Sequence, residues 1–211
     1  MRIRLALAAG LLLIALAAAR TLAHAPLVVT LDNSLVTHET LVSTTAPATA
    51  CQAGEILPAG TSAIRLGLTT ALGPRVRVTV WSGSRLLTEG VHGPGWEGAS
   101  VTVPVRPVAS RTLAPVRVCL RLDLLNGPVS MLGWDTRHAI AATGGGKRLP
   151  GRMHIEYLRP AQASWLSMAS ATARRLGFGR AASGIWNAVL VGALAALLVA
   201  ISCWLVTREL Q

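Results

Sequence analysis

Lysine is almost missing from this chain: Lys147 stands alone among twenty basic residues, and the other nineteen are arginine. Acidic residues are scarce too, nine in all, which leaves a formal charge of +11. An arginine bias beside abundant Ala, Gly, Leu and Val is the composition that a GC-rich bacterial genome imposes. Selection for guanidinium forks that grip phosphate or carboxylate is the second reading. Cysteine is equally sparse, and three residues are too few for a disulfide scaffold. Motifs of catalysis are absent. There is no Gly-x-Ser-x-Gly elbow, and His38-Glu39 lacks the second histidine of a zinc-protease helix. Gly144-Gly145-Gly146-Lys147 fails as a phosphate loop, because Ala141 stands where its first glycine belongs and Arg148 where Ser or Thr should bind magnesium. His38, His92, His138 and His154 fall in different segments without ligand spacing, so neither a metal nor a cofactor is expected. Asp123 with Asp135, or Glu97 with Asp123, read as solvated surface acids rather than a catalytic pair. The chain reads as non-enzymatic.

What is present is an uncharged run of 26 residues, 181–206. At about 1.5 Å per residue this exceeds the ~30 Å hydrocarbon core of a bilayer and predicts a transmembrane helix over 181–207, with 208–211 as a cytoplasmic tail. Trp186 and Trp204 would then sit roughly 27 Å apart, one at each headgroup layer. Gly184 with Ala188, and Gly192 with Ala196, are small pairs that permit close approach of another helix. Cys203 in this run reads as a packing residue. Residues 1–25 begin with Arg2 and Arg4, continue through fifteen uncharged residues from Leu5 to Ala19, and end in small residues suited to cleavage. They read as a signal peptide, or, if retained, an N-terminal signal anchor, although fifteen residues are short for a span. Either way the middle of the chain is exported. Arg174, Arg175 and Arg180 then flank the final helix outside against Arg208 inside, a violation of charge bias that a long translocated domain tolerates.

Between these ends, 26–160 carries thirteen basic and eight acidic residues, a net +5. A basic excess on a tethered exported domain points to lipid headgroups or an anionic envelope polymer, not to nucleic acid. The pattern here has period two. Ile64, Leu66 and Leu68, then Val76, Val78 and Val80, then Val101, Val103 and Val105, then Val116, Val118, Leu120 and Leu122 each alternate with polar or small residues. That predicts eight or nine one-sided strands in an all-β, antiparallel sandwich of immunoglobulin-like or jelly-roll type. Ser82-Gly83-Ser84 and Asn126-Gly127 read as hairpin turns, and Thr143 to Gly151 as a flexible loop. After Pro160, residues 161–180 suggest a juxtamembrane amphipathic helix with Trp165, Met168, Ala169, Thr172 and Leu176 on one face.

Cys51 and Cys119 both fall in the exported part and are predicted to pair. Cys119 lies opposite Val118 and Leu120, so the bond would pin the segment Ser43 to Gly60 against a sheet rather than join two sheets. Two groups suggest binding. His92-Gly93-Pro94-Gly95-Trp96-Glu97-Gly98 presents an indole beside an acid, a combination suited to a sugar ring, and Trp81 and Trp134 could extend that platform. Arg65, Arg75, Arg77, Arg117 and Arg121 all point outward from their strands and, if the strands are neighbours, form one basic face.

The run Cys51-Gln52-Ala53-Gly54-Glu55-Ile56-Leu57-Pro58-Ala59-Gly60-Thr61-Ser62-Ala63-Ile64-Arg65 resembles one in uncharacterised membrane-anchored envelope proteins of high-GC Gram-positive, actinobacterial-type bacteria. Gly-Pro-Arg-Val at 73–76, Ser-Gly-Ser-Arg at 82–85 and Ile-Glu-Tyr-Leu-Arg-Pro at 155–160 extend the likeness from Cys51 to the end of the chain. The resemblance implies company rather than chemistry: membrane machinery that builds or exports surface glycans. No site residue comes with it. The expected role is a membrane-anchored accessory protein at the cell membrane, offering its β domain to a membrane partner or envelope glycan. A carbohydrate- or polyanion-binding module is the alternative.

Overall fold

Valine and leucine at alternate positions build the body of this protein, and every alternation named above points inward. Ile64, Val76, Val78, Val80, Val103, Val118 and Leu122 are fully enclosed, and Leu66, Leu68, Val101, Val116 and Leu120 nearly so. The computed structural model describes residues 2–33, 39–109, 114–123, 127–135, 141–165, 167–168, 192–194, 196 and 199–200. Contacts divide the chain into Leu27–Pro160 and a second unit formed by Met1–Pro26 with Ala161–Gln211.

In the first unit the strands run in chain order β1 (Leu27–Asp32), β2 (Glu39–Thr44), β3 (Ala48–Glu55), β4 (Ala63–Leu66), β5 (Leu68–Thr69), β6 (Val76–Ser82) and β7 (Arg85–His92). They continue as β8 (Val101–Pro104), β9 (Val116–Leu122), β10 (Val129–Asp135), β11 (Thr143–Gly144), β12 (Lys147–Arg148), β13 (Gly151–Met153) and β14 (Ile155–Pro160). Sheet A has the order β1-β14-β4-β8, sheet B β13-β10-β2 with β5 also on β10, and sheet C β12-β11-β3-β9-β6-β7. All the pairings are antiparallel. The all-β reading stands. Sheets A and B meet at a shared corner, because two chain segments pass from one to the other at the same place. Gly67 separates β4 from β5 and His154 separates β13 from β14, and Gly67 N donates to His154 O at 3.0 Å. A Cβ on Gly67 would come within 2.9 Å of His154 Cβ, so the corner closes only around glycine.

Three local expectations are corrected. The segment after Ser43 is no appendage: Ala48–Glu55 is β3, a central strand between β11 and β9. Thr143 to Gly151 is no loose loop, since β11 and β12 form a tight hairpin through Gly145 (φ 55°) and Gly146 (φ 78°) that adds to β3. Asn126 lies outside the described residues, but the strands flanking Asn126-Gly127 do not form a hairpin, since β9 belongs to sheet C and β10 to sheet B. The turn at Gly83 is as expected: φ is 57° and β6 pairs with β7.

Cys51 and Cys119 are disulfide-bonded, with Cα atoms 4.0 Å apart as directly opposed residues of β3 and β9. The bond staples neighbours within sheet C and does not join two sheets.

In the second unit α1 spans Arg2–Ala23 and stops ahead of Pro26, before which helical backbone is disfavoured. Ala161 N donates to Pro26 O at 2.7 Å and Trp165 N to His24 O at 3.4 Å. Trp165, Ser167 and Met168 are helical; Ala169, Thr172 and Leu176 lie outside the described residues. Gly192 and Ala196 are also helical, whereas Gly184, Trp186, Ala188, Cys203 and Trp204 lie outside them. Among the described residues no helix is long and apolar enough to cross a membrane.

Candidate functional site

The aromatic platform does not form. Trp96 is 9% exposed; its Nε1 donates to Pro74 O at 2.8 Å, and its ring lies where a Cβ on Gly73 would fall, 2.0 Å from Trp96 Cε2. Two backbone bonds, Gly73 N to Trp96 O at 2.7 Å and Gly95 N to Gly73 O at 2.8 Å, hold the loop to that ring. The indole staples its own loop, and Glu97 beside it is exposed. Trp134 is 6% exposed on β10, with the Arg152 guanidinium 5.7 Å from its ring centre. Neither ring offers a free face. Trp81, half-buried on β6, still does.

The arginine face is real but smaller than expected. Arg65 belongs to sheet A, where its Nη1 donates to Glu156 Oε2 at 2.8 Å and its Nε to Thr102 Oγ1 at 3.2 Å, so it is committed locally. Arg77, Arg117 and Arg121 gather on the outer side of sheet C, and Arg75 is exposed just ahead of β6. Arg77 on β6 is registered directly against Arg121 on β9, and Thr49 on β3 is Arg121's partner on the other side. Trp81 is likewise registered against Arg117. Arg121 and Arg117 are four positions apart along β9, about 13 Å of strand, and the Cys51–Cys119 disulfide lies between them. Two shallow clefts open on this face. One of about 220 Å³ is lined by Thr49, Arg77, Thr79 and Arg121, and one of about 260 Å³ by Ala53, Trp81, Gly83, Pro115 and Arg117. Arg121 Nε reaches Asp123 Oδ1 at 3.3 Å, and among the described residues no carboxylate pairs with Arg77 or Arg117.

Sequence reasoning missed two polar clusters. Glu55, 2% exposed, takes an ion pair from Arg152, a hydrogen bond from Asn33 Nδ2 at 2.9 Å and one from the Tyr157 hydroxyl at 3.3 Å. One carboxylate on sheet C thus holds side chains from sheets A and B, and burial, then the Glu55 charge, push the Tyr157 hydroxyl pKa well above its usual value. An ion pair and two further hydrogen bonds are what make the Glu55 charge tolerable inside a β core. The second cluster is Asp32, His154 and Glu156, brought together at the corner of sheets A and B. The motif His154-x-Glu156 on extended backbone was its available signal, since residues two apart share a face.

Comparison with protein-family models, with curated proteins and with solved structures finds no match to this chain.

Proposed function

We propose that this is a non-enzymatic, membrane-anchored accessory protein of the cell envelope whose exported β body binds an anionic surface glycan through the outer face of sheet C. The observation that carries the reading is the Arg77 and Arg121 pair. Like charges placed directly opposite on adjacent strands destabilise a sheet, and here a phosphate or carboxylate held between them would reverse the sign of that interaction. The Trp81 and Arg117 cleft, about 13 Å along the strand, adds an indole for a sugar ring beside a second cation, as a polymer with repeating acidic groups requires. Tethering to a membrane supplies effective concentration, so weak individual contacts suffice.

Export is supported by the disulfide, a bond that persists in oxidising compartments. It is also supported by Leu27 pairing with Pro160, which sets the two ends of the β body side by side as entry and exit from one surface demand. A second reading, a membrane-protein partner, draws on edge strand β1, where Leu27, Val28, Val29 and Leu31 are exposed on an unpaired edge among the described strands.

The test is retention of the full-length protein on immobilised polyphosphate and polyglutamate, with uncharged dextran as control. Arg77→Glu with Arg121→Glu should abolish retention, and salt should elute the wild type. Equal retention of wild type and variant would discard the glycan face. Protease added to intact spheroplasts should digest the β body; protection there would remove the export that the proposal requires.

A further inference from the structure

Asp32, His154 and Glu156 converge through strand register. Glu156 is the direct partner of Asp32 in the β1 and β14 pair, and His154 precedes Glu156 by two residues at the corner where β14 begins. The His154 side chain is 10% exposed. Its Nε2 lies 3.5 Å from Asp32 Oδ1 and 3.3 Å from Glu156 Oε1, and the three donor atoms all fall within 4.8 Å of one another.

The two separations from His154 Nε2 fit the ligand spacing of a tetrahedral site. A tetrahedral zinc ion with bonds of about 2.0–2.1 Å to nitrogen and oxygen spaces its ligand atoms about 3.3–3.4 Å apart. Octahedral Mg2+ at a similar bond length needs edges of about 2.9 Å, and both Mg2+ and Ca2+ prefer all-oxygen shells over an imidazole. The surroundings also hold the donors in place. Arg65, fixed by its bond to Thr102 Oγ1, takes Glu156 Oε2 at 2.8 Å and leaves Oε1 turned to the imidazole, the outer-shell support that orients a ligating carboxylate. Gly67 provides the room, since a Cβ there would stand 3.0 Å from His154 Nδ1.

The geometry points to a zinc site formed by Asp32 Oδ1, His154 Nε2 and Glu156 Oε1, with a water completing the tetrahedron on the side of Asp32, whose side chain is 40% exposed. Two carboxylates and a neutral imidazole balance the charge of Zn2+, and the metal ties edge strand β1 to β14. This site is independent of the arginine face on sheet C. The competing occupant of the same space is a proton, giving a histidinium bridged by two carboxylates.

Titration of chelator-stripped full-length protein in detergent with Zn2+ alone, followed by calorimetry, separates the two. One equivalent should bind, and Co2+ should give the strong visible absorption of a tetrahedral site. Asp32→Asn, at the most exposed ligand, should lower Zn2+ affinity at least about 100-fold, and Arg65→Gln about 10- to 100-fold, with unfolding midpoints recorded in parallel to show that both fold. A wild type that takes up no Zn2+, or an Asp32→Asn variant that binds it as well as the wild type, assigns the cluster to histidinium and overturns the site.

Discussion

Arg77 and Arg121 face each other as directly registered partners on neighbouring strands of sheet C, and Asp123 pairs with Arg121, at 3.3 Å. Without an anion between them the pair is a local strain of like charges. Arg77→Thr should therefore stabilise the unliganded protein by about 0.2–1 kcal/mol while weakening polyanion retention. Chemical denaturation of the two proteins at low salt checks the first half. The difference should shrink as salt screens the wild-type repulsion. A variant less stable than wild type under these conditions would show that Arg77 is held by attraction instead.

Cys51 and Cys119 close a loop of sequence separation 68, and a crosslink over that length stabilises by about 4 kcal/mol through the unfolded state. Reduction, or Cys51→Ala with Cys119→Ala, should lower the denaturation free energy by roughly that much. The polyanion face loses its staple at the same time, since the bond sits between the two clefts. Retention of the reduced protein should then fall, whereas the Asp123→Asn variant, which leaves the staple intact and releases Arg121 from its carboxylate, should retain at least as well as wild type.

Trp96 now carries a stability prediction rather than a binding one. Trp96→Ala empties a site that is 9% exposed and strips a hydrogen bond from Pro74 O, a change of about 3–5 kcal/mol. Gly73→Ala should be comparably severe, because the new Cβ would lie 2.0 Å from the indole. Polyanion retention by the fraction of either variant that remains folded should match wild type. Selective loss of retention with an unchanged melt would return Trp96 to the ligand.

The strands were legible wherever burial is one-sided. Val76, Val78 and Val80 alternate with Arg77, Thr79 and Trp81, and the structure buries the first set and leaves the second toward solvent. Strand β3 was hidden because Ala48–Glu55 is a run of small residues with a buried Gln52 and Glu55, and neither polar side chain looks like core until its partners are known. The partners come from far along the chain: Arg152 is 97 residues from Glu55 and Tyr157 is 102. The same holds for Asp32 and Glu156, which only the β1 and β14 register brings together. Direction along a strand was readable for Arg77, Arg117 and Arg121, but sheet membership was not, so Arg65 was grouped with them although it sits in sheet A on Glu156. Tryptophan misled for a related reason. A Gly-Pro-Gly-Trp loop looks the same whether its indole faces solvent or folds back over Gly73, and the bonds between Gly73, Gly95 and Trp96 decide the matter.

Tyr157, the chain's only tyrosine, gives the buried Glu55 cluster its own optical reporter. Burial raises the pKa of its hydroxyl first, the Glu55 charge and hydrogen bond raise it further, and Arg152 opposes them in part. In the unfolded chain the group titrates near about 10, so below that pH folded and unfolded states hold the same proton and the group adds no pH dependence. Above it the unfolded chain loses the proton while the folded protein keeps it. Stability must then fall with rising pH, by about 1.4 kcal/mol per unit for this one group, until the folded protein also ionises. Tyr157→Phe should remove that component, so the wild-type and variant denaturation curves should converge from neutral pH toward the alkaline end. At neutral pH the variant should be weaker by about 1.5–3 kcal/mol, the worth of a hydrogen bond to a charged group. Tyrosinate absorbance provides the direct check, since in the folded protein it should stay silent through about pH 10, where the unfolded chain ionises. A signal that rises near pH 10 with the fold intact would place the hydroxyl in solvent and dissolve the three-sheet junction at Glu55.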